Sequence, residues 1–142
     1  MSKMARMVAI FFVSLFATFS AGAAQLIAKV DVSRQVMTIS YQGELLHTWP
    51  VSTGRSGFDT PRGAWKPKHM AQMWLSKKYD NAPMPYSVFF TGGYAVHGTS
   101  KVKALGRPAS HGCVRLQTKN AARFYSLVQQ VGRKNTKIVI TN

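Results

Sequence analysis

Residues 94–116 read YAVHGTSKVKALGRPASHGCVRL. With Gly93 before it, the opening reads "GYAVH", which is strand-like and predicts a strand that closes on His97. Lys101 to Gly112, with Gly106 and Pro108, predicts a loop. Behind it comes the one clear helical pattern of the chain. Ala121, Phe124, Tyr125, Val128 and Val131 recur at steps of three and four, the spacing of a single apolar stripe. Thr118 reads as its N-cap and Gly132 as its stop. A strand end, a long loop, a cysteine and a helix follow one another. That order places His97 and Cys113 at the two ends of one loop, which can fold them together.

Outward from this block the pattern is β. Leu26 to Val32 alternates with period two and is followed by a Ser33-Arg34 turn. Val36 to Tyr41, VMTISY, is rich in β-branched residues. Gln42-Gly43 predicts a tight turn, with Glu44 to Pro50 returning as the hairpin partner. Gly54 to Gly63 is a loop dense in Gly, Pro, Ser and Thr. AWKPKHMAQMW, residues 64–74, fits neither period and leaves His69 in an irregular region. MPYSVFF, residues 84–90, is strand-like and is separated from "GYAVH" by Gly92-Gly93. TKIVITN closes the chain as a final strand. The sum is a mainly β domain with one good helix packed on it, without repeats or low-complexity tracts.

The chain opens MSKMARMVAIFFVSLFATFSAGAAQ. Lys3 and Arg6 give a positive start, Met7 to Phe19 an uncharged apolar run, and Ala21-Gly22-Ala23 small residues of the kind a signal peptidase reads. The run is short for a span, which needs about 20 apolar residues. The expectation is a cleaved export signal over residues 1–24 and one domain over 25–142. No second long apolar run follows, so no stable membrane span is expected after cleavage. The compartment expected is the periplasm.

Charge narrows the partners. Nineteen Lys and Arg stand against four Asp and Glu, a net +15, and losing Lys3 and Arg6 with the leader leaves +13. Such an imbalance calls for a polyanionic partner or surface. Nucleic acid is set aside: export takes the protein away from it, and the basic residues are scattered with no recognition helix or RNA-binding signature to organise them. Cell-wall glycan with acidic stem peptides, or anionic lipid, fits an exported protein better.

Cys113 is the only cysteine. A free cysteine is often a small buried hydrophobe. In an oxidising compartment an unpaired thiol is exposed to mispairing and is worth a reason. Ser110-His111-Gly112-Cys113 offers one. A thiol needs a base beside it to act as a nucleophile near neutrality, and histidine is the natural one. Glycine lets backbone N–H groups turn toward a ligand oxygen. These are the parts of an acyl-transfer site. Zinc held by His97, His111 and Cys113 is the competing chemistry, although the one-residue gap between His111 and Cys113 is tight and neither His47 nor His69 supplies an obvious fourth ligand. A papain-like protease places its cysteine before its histidine, the reverse of the order here.

The block HGT…LGRPASHGCVRL resembles the signature of the L,D-transpeptidase catalytic domain, the YkuD-type family. His97, Gly98, Ser110, His111, Gly112, Cys113 and Arg115 match it in order, and Thr60, Pro61 and Gly63 resemble its TP-x-G loop. The resemblance implies a single β-sandwich-like domain with the helix after the nucleophile. It implies a peptidoglycan L,D-transpeptidase that works without metal or other cofactor. Cys113, as thiolate, would attack the carbonyl of the third residue of a tetrapeptide stem and release D-alanine. The acyl group would pass to an amine of another stem or of a wall-attached protein. Water as acceptor would make the protein a carboxypeptidase, and a basic wall-binding module without turnover is the non-catalytic alternative. The resemblance implies His97 as base with its ring oriented by the Gly98 carbonyl, and Gly112 and Cys113 N–H groups as the oxyanion hole. His111 would support the site. Arg115, Ser110 and Tyr86 complete the expected site on the substrate side, with Ser110 expected to act mainly through structure.

Overall fold

A computed structural model describes residues 25–142; the expected leader, residues 1–24, lies outside them. The described chain forms two sheets and one α-helix. The strands are β1 (Leu26–Asp31), β2 (Val36–Tyr41), β3 (Glu44–Pro50), β4 (Gly63–Trp65), β5 (His69–Ser76), β6 (Ala82–Thr91), β7 (Tyr94–Thr99), β8 (Val114–Gln117) and β9 (Thr136–Thr141); the helix is α1 (Thr118–Val131). One sheet runs β3-β2-β1-β9-β4 and the other β5-β6-β7-β8. Among the described residues no helix is long and apolar enough to cross a membrane.

Alternation builds the core. Leu26, Ala28 and Val30 of β1, Met37 and Ile39 of β2, and Ile138 and Ile140 of β9 point inward from the first sheet. Val88 and Phe90 of β6, Val96 of β7, and Val114 and Leu116 of β8 meet them from the second. Helix α1 adds Ala121, Phe124, Leu127 and Val128 to the same core. This is the apolar stripe of its sequence, and α1 lies against β6, β7 and β8. The mainly β, sandwich-like architecture with a single helix after Cys113 is thus the observed one.

Three local expectations are corrected. Residues 64–65 belong to β4 and 69–74 to β5, so His69 is a strand residue; His69↔Phe89 and Ala71↔Ser87 pair β5 antiparallel to β6. Cys113 does not lead directly into the helix, because the four-residue strand β8 intervenes. Thr118 is the first helical residue rather than its cap: Gln117 occupies the cap without a side-chain bond. Thr118 Oγ1 instead donates to the Thr99 carbonyl at 3.4 Å, linking the helix start to the end of β7.

Strands β7 and β8 are parallel neighbours, with Val96 opposite Val114 and His97 opposite Arg115. Parallel neighbours need a crossover, and residues 100–113 supply it. That connection is bound along its length to the strand-like segment 51–55. Gly106 N–H donates to the Val51 carbonyl at 2.8 Å. Ala109 and Ser110 N–H groups both donate to the Thr53 carbonyl at 3.0 Å, and Arg55 N–H to the Ser110 carbonyl at 3.0 Å. Ser52 exchanges backbone bonds with Arg115 at 2.9 and 3.0 Å. These bonds hold a long loop in one shape by ties to the segment that follows β3.

Candidate active site

The register of β7 and β8 sets the site. Side chains alternate across a strand, so Val96, Val114 and Leu116 enter the core. Ala95 and His97 of β7, with Cys113 and Arg115 on and just before β8, take the other face. That face floors a cleft of about 850 Å³ whose walls include the β5–β6 turn, Lys101, His111 and Thr118. On this face Met84, Phe89 and Ala95 form a small second apolar cluster against which Cys113 packs.

His97 is 5% exposed. Its Nδ1 lies 2.7 Å from the Gly98 carbonyl oxygen. A carbonyl only accepts, so Nδ1 carries the proton and Nε2 is left as a base. Burial pushes the ring's pKa down to about 4; the Gly98 hydrogen bond works against this and the neighbouring Arg115 charge adds to it. Burial pushes the Cys113 thiol up, opposed by the Ala95 N–H and by Arg115. Both directions favour neutral partners. The sulfur faces the Gly93 carbonyl at 4.0 Å.

The loop before Cys113 is locked by small polar side chains. Ser110 is fully buried. Its hydroxyl donates to the Cys113 carbonyl at 2.6 Å and accepts from the Gly112 N–H at 2.9 Å. Ser110 therefore shapes the turn before Cys113 and does not line the cleft, which corrects its placing on the substrate side. The same bond commits the Gly112 amide to Ser110, leaving the Cys113 amide as the member of the expected oxyanion pair without that commitment. From the other side Thr60 Oγ1 donates to the Gly112 carbonyl at 2.8 Å and accepts from the Gly54 N–H at 3.0 Å. Gly112 has φ +121°, and a Cβ there would lie 2.4 Å from Tyr94 Cε1. Only glycine fits both the backbone and the ring above it.

His111 lies on the cleft wall, where Tyr79 stacks on it at 4.0 Å with the planes 11° apart and Phe58 meets it edge-on at 5.1 Å. Burial, and then the charges of Arg55, Arg115, Lys101 and Lys78, hold it toward its neutral form. Arg115 is half-buried beside the dyad, and burial lowers its pKa. Gly98 is buried against the Thr118 backbone, where a Cβ would approach Cα to 2.9 Å. Tyr86 is not part of the cleft. It has φ +54°, and its ring packs edge-on to Tyr125 of α1 at 5.8 Å, whereas Pro83, Met84 and Pro85 line the cleft. Among the described residues no three His, Cys, Asp or Glu side chains group as a metal site.

Sequence reasoning did not find Thr60's bond to the Gly112 carbonyl, the Tyr79 and Phe58 contacts of His111, or Tyr94 over Gly112. Nor did it find Gln35, a buried residue in the β1–β2 turn. Gln35 Oε1 accepts from Thr53 N–H at 3.0 Å and its Nε2 donates to Thr53 Oγ1 at 2.6 Å. Thr60 had a signal in the TP-x-G loop. The others are set by tertiary approach alone.

Fold and cleft together define a two-sheet domain with a cysteine and an oriented, buried histidine in one cleft. The sequence matches the L,D-transpeptidase catalytic domain (YkuD) over residues 25–140. The chain belongs to this family. It is 22% identical over 103 residues to the YkuD protein of Bacillus subtilis, covering 70% of this chain and 58% of that one. With the YkuD protein of Bacillus licheniformis it shares 22% over 116 residues, or 79% and 63% of the two chains. An L,D-transpeptidase from Mycobacterium smegmatis superposes with a TM-score of 0.75 at 26% identity, over 84% of this chain and 59% of that one. An L,D-transpeptidase solved in complex with imipenem gives 0.74 at 26%, over 82% and 59%. The chain thus spans about three fifths of the length of these relatives.

Proposed function

We propose that the protein is a cysteine L,D-transpeptidase acting on peptidoglycan stem peptides in the cell envelope, reached through the leader in residues 1–24. The observation that carries the proposal is the buried His97, its Nδ1–H fixed on the Gly98 carbonyl, lining one cleft with Cys113.

Cys113 Sγ attacks the carbonyl of the third stem residue as its proton passes to His97 Nε2. Because burial disfavours a resting ion pair, thiolate develops only as the C–S bond forms. The oxyanion is met by the Cys113 N–H. The C–N bond to D-alanine breaks, and the proton on His97 goes to the departing amine. The thioester is then attacked by an acceptor amine. His97 takes the amine's proton and returns it to the sulfur as the C–S bond breaks. Arg115, charged and half-buried at the cleft, holds a carboxylate of the bound stem.

The test is intact-protein mass after incubation with a disaccharide-tetrapeptide, for wild type and Cys113→Ala, with analysis of released products. An acyl adduct or released D-alanine in wild type alone is the expected result. The products then tell a new cross-link from a hydrolysed stem, and a carbapenem gives an independent adduct probe. No adduct and no D-alanine, with sacculus binding retained by both proteins, would reject catalysis in favour of a wall-binding module.

A further inference from the structure

Around Arg115 the cleft carries lysines that the acyl-transfer steps do not use. Lys77 and Lys78 sit on the β5–β6 turn, Lys101 at the start of the β7–β8 connection and Arg115 on β8. Four cations from three separate segments therefore converge on one concavity. Of the chain's four carboxylates, only Asp80 lines it. A lysine-rich face on a basic protein is ordinarily a solvated surface. Convergence distinguishes this one: the charges of Lys78, Lys101, Arg115 and Arg55 all act on the single ring of His111. The cleft floor is apolar, with Met84 and Phe89 against Ala95. A ligand seated there lies on a low-dielectric surface under a cationic rim, where charge discrimination is strengthened.

We propose that Lys77, Lys78 and Lys101 are specificity-determining residues that select acyl donors with free side-chain carboxylates over the same peptides carrying carboxamides. The proposal deepens the transpeptidase reading and rests on it. The chemistry of the donor gives the rim its use. The terminal carboxylate departs with D-alanine, whereas the carboxylates of the second and third stem residues stay on the acyl-enzyme. A rim that binds these residual charges holds the acyl group while the leaving group goes and the acceptor enters. A carboxamide keeps the shape and removes the charge, so it isolates the rim from steric fit.

The experiment uses two probes. One is the tetrapeptide L-Ala-γ-D-Glu-diaminopimelate-D-Ala. The other is the same peptide with the D-Glu α-carboxyl and the diaminopimelate side-chain carboxyl as carboxamides. Dissociation constants are measured by calorimetry on Cys113→Ala, which holds the donor without turnover. The carboxylate peptide is expected to bind about tenfold tighter at low salt, with the ratio falling to about twofold at 0.5 M salt. Lys77→Gln, Lys78→Gln and Lys101→Gln combined in that background bring the ratio close to one. All three side chains are exposed, so the variant keeps its fold, which thermal unfolding checks. A charge-matched control, Lys29→Gln with Lys134→Gln and Lys137→Gln, removes the same charge away from the cleft and preserves the ratio. Equal binding of the two peptides by Cys113→Ala overturns the proposal. So does a ratio that survives in the cleft variant or collapses in the control. Turnover by wild type is read separately. An intact binding ratio without turnover rejects the transpeptidase reading and sustains the selectivity; turnover with equal binding rejects the selectivity alone.

Discussion

His97→Gln should flatten the acid side of the protein's stability profile. The ring is buried in its neutral form with a pKa of about 4 against an ordinary 6.5. Between those values the unfolded chain binds a proton that the folded chain refuses, so stability falls as pH falls. It is fully present above about pH 6.5 and declines until the folded form also protonates near pH 4. At about 1.4 kcal/mol per pH unit the loss relative to pH 7 is about 2 kcal/mol at pH 5 and about 3 kcal/mol at pH 4. The chain has only four carboxylates to obscure this. Asp31, lowered mainly by its hydrogen bond from Ser33, and His111 contribute the same slope to both proteins and cancel in the difference. The assay is urea unfolding of wild type and His97→Gln at pH 7, 6, 5 and 4, with the thiol kept reduced. Wild type should lose about 2 kcal/mol more than the variant between pH 7 and 5. Parallel profiles, within about 0.5 kcal/mol of each other, would show that the ring is not held neutral and would remove the basis for a neutral resting dyad. The acid limb of kcat/KM supplies an independent reading, because it reports the free enzyme's base; it should fall near pH 4 rather than 6.5.

Ser110→Ala leaves the Gly112 N–H and the Cys113 carbonyl without their buried partner and should destabilise by about 2–4 kcal/mol in urea unfolding, with slower alkylation-independent acylation of the thiol by donor. Gly112→Ala puts a Cβ 2.4 Å from Tyr94 at a φ that favours glycine, and should lower stability by more than about 2 kcal/mol. Tyr94→Ala added to it relieves the clash and restores only part of the loss, since the backbone strain stays. Tyr79→Ala removes the stacked face of His111 and should raise KM several-fold, while unfolding shifts by less than about 1.5 kcal/mol.

Much of this fold is written in local periodicity. β1, β2, β3, β6, β7 and β9 alternate or carry β-branched runs, and α1 shows its stripe, so each is readable from a short window. β8 escaped because VRLQ is four residues long and runs straight into the helix, with no turn residue between. β5 escaped because Lys66-Pro67-Lys68 interrupts its approach and its partners lie across a hairpin on β6. The dyad was legible because its chemistry needs particular residue types, and the resemblance to a known signature added their order. Tyr86 was misplaced because its positive φ turns it from the Pro83–Pro85 wall toward α1, and backbone sign does not show in composition. The direction in which burial pushes the Cys113 and His97 pKa values was not legible for a related reason. Pairing can be guessed from neighbours in sequence, whereas desolvation depends on how deeply the finished fold buries them.

The bonds between segment 51–55 and the 106–115 connection have a consequence for when the protein acquires its chemistry. Gln35, Thr53, Thr60, His97 and Ser110 are far apart along the chain, and each contributes to the site only after the two sheets have met. Contacts of such separation form late, since loop closure must precede them. A chain still unfolded carries an ordinary cysteine thiol and an ordinary imidazole with no common geometry. On the proposed mechanism the thiol is therefore latent until the closing step of folding brings it beside His97. Acylation of Cys113 by donor can serve as a clock for that step.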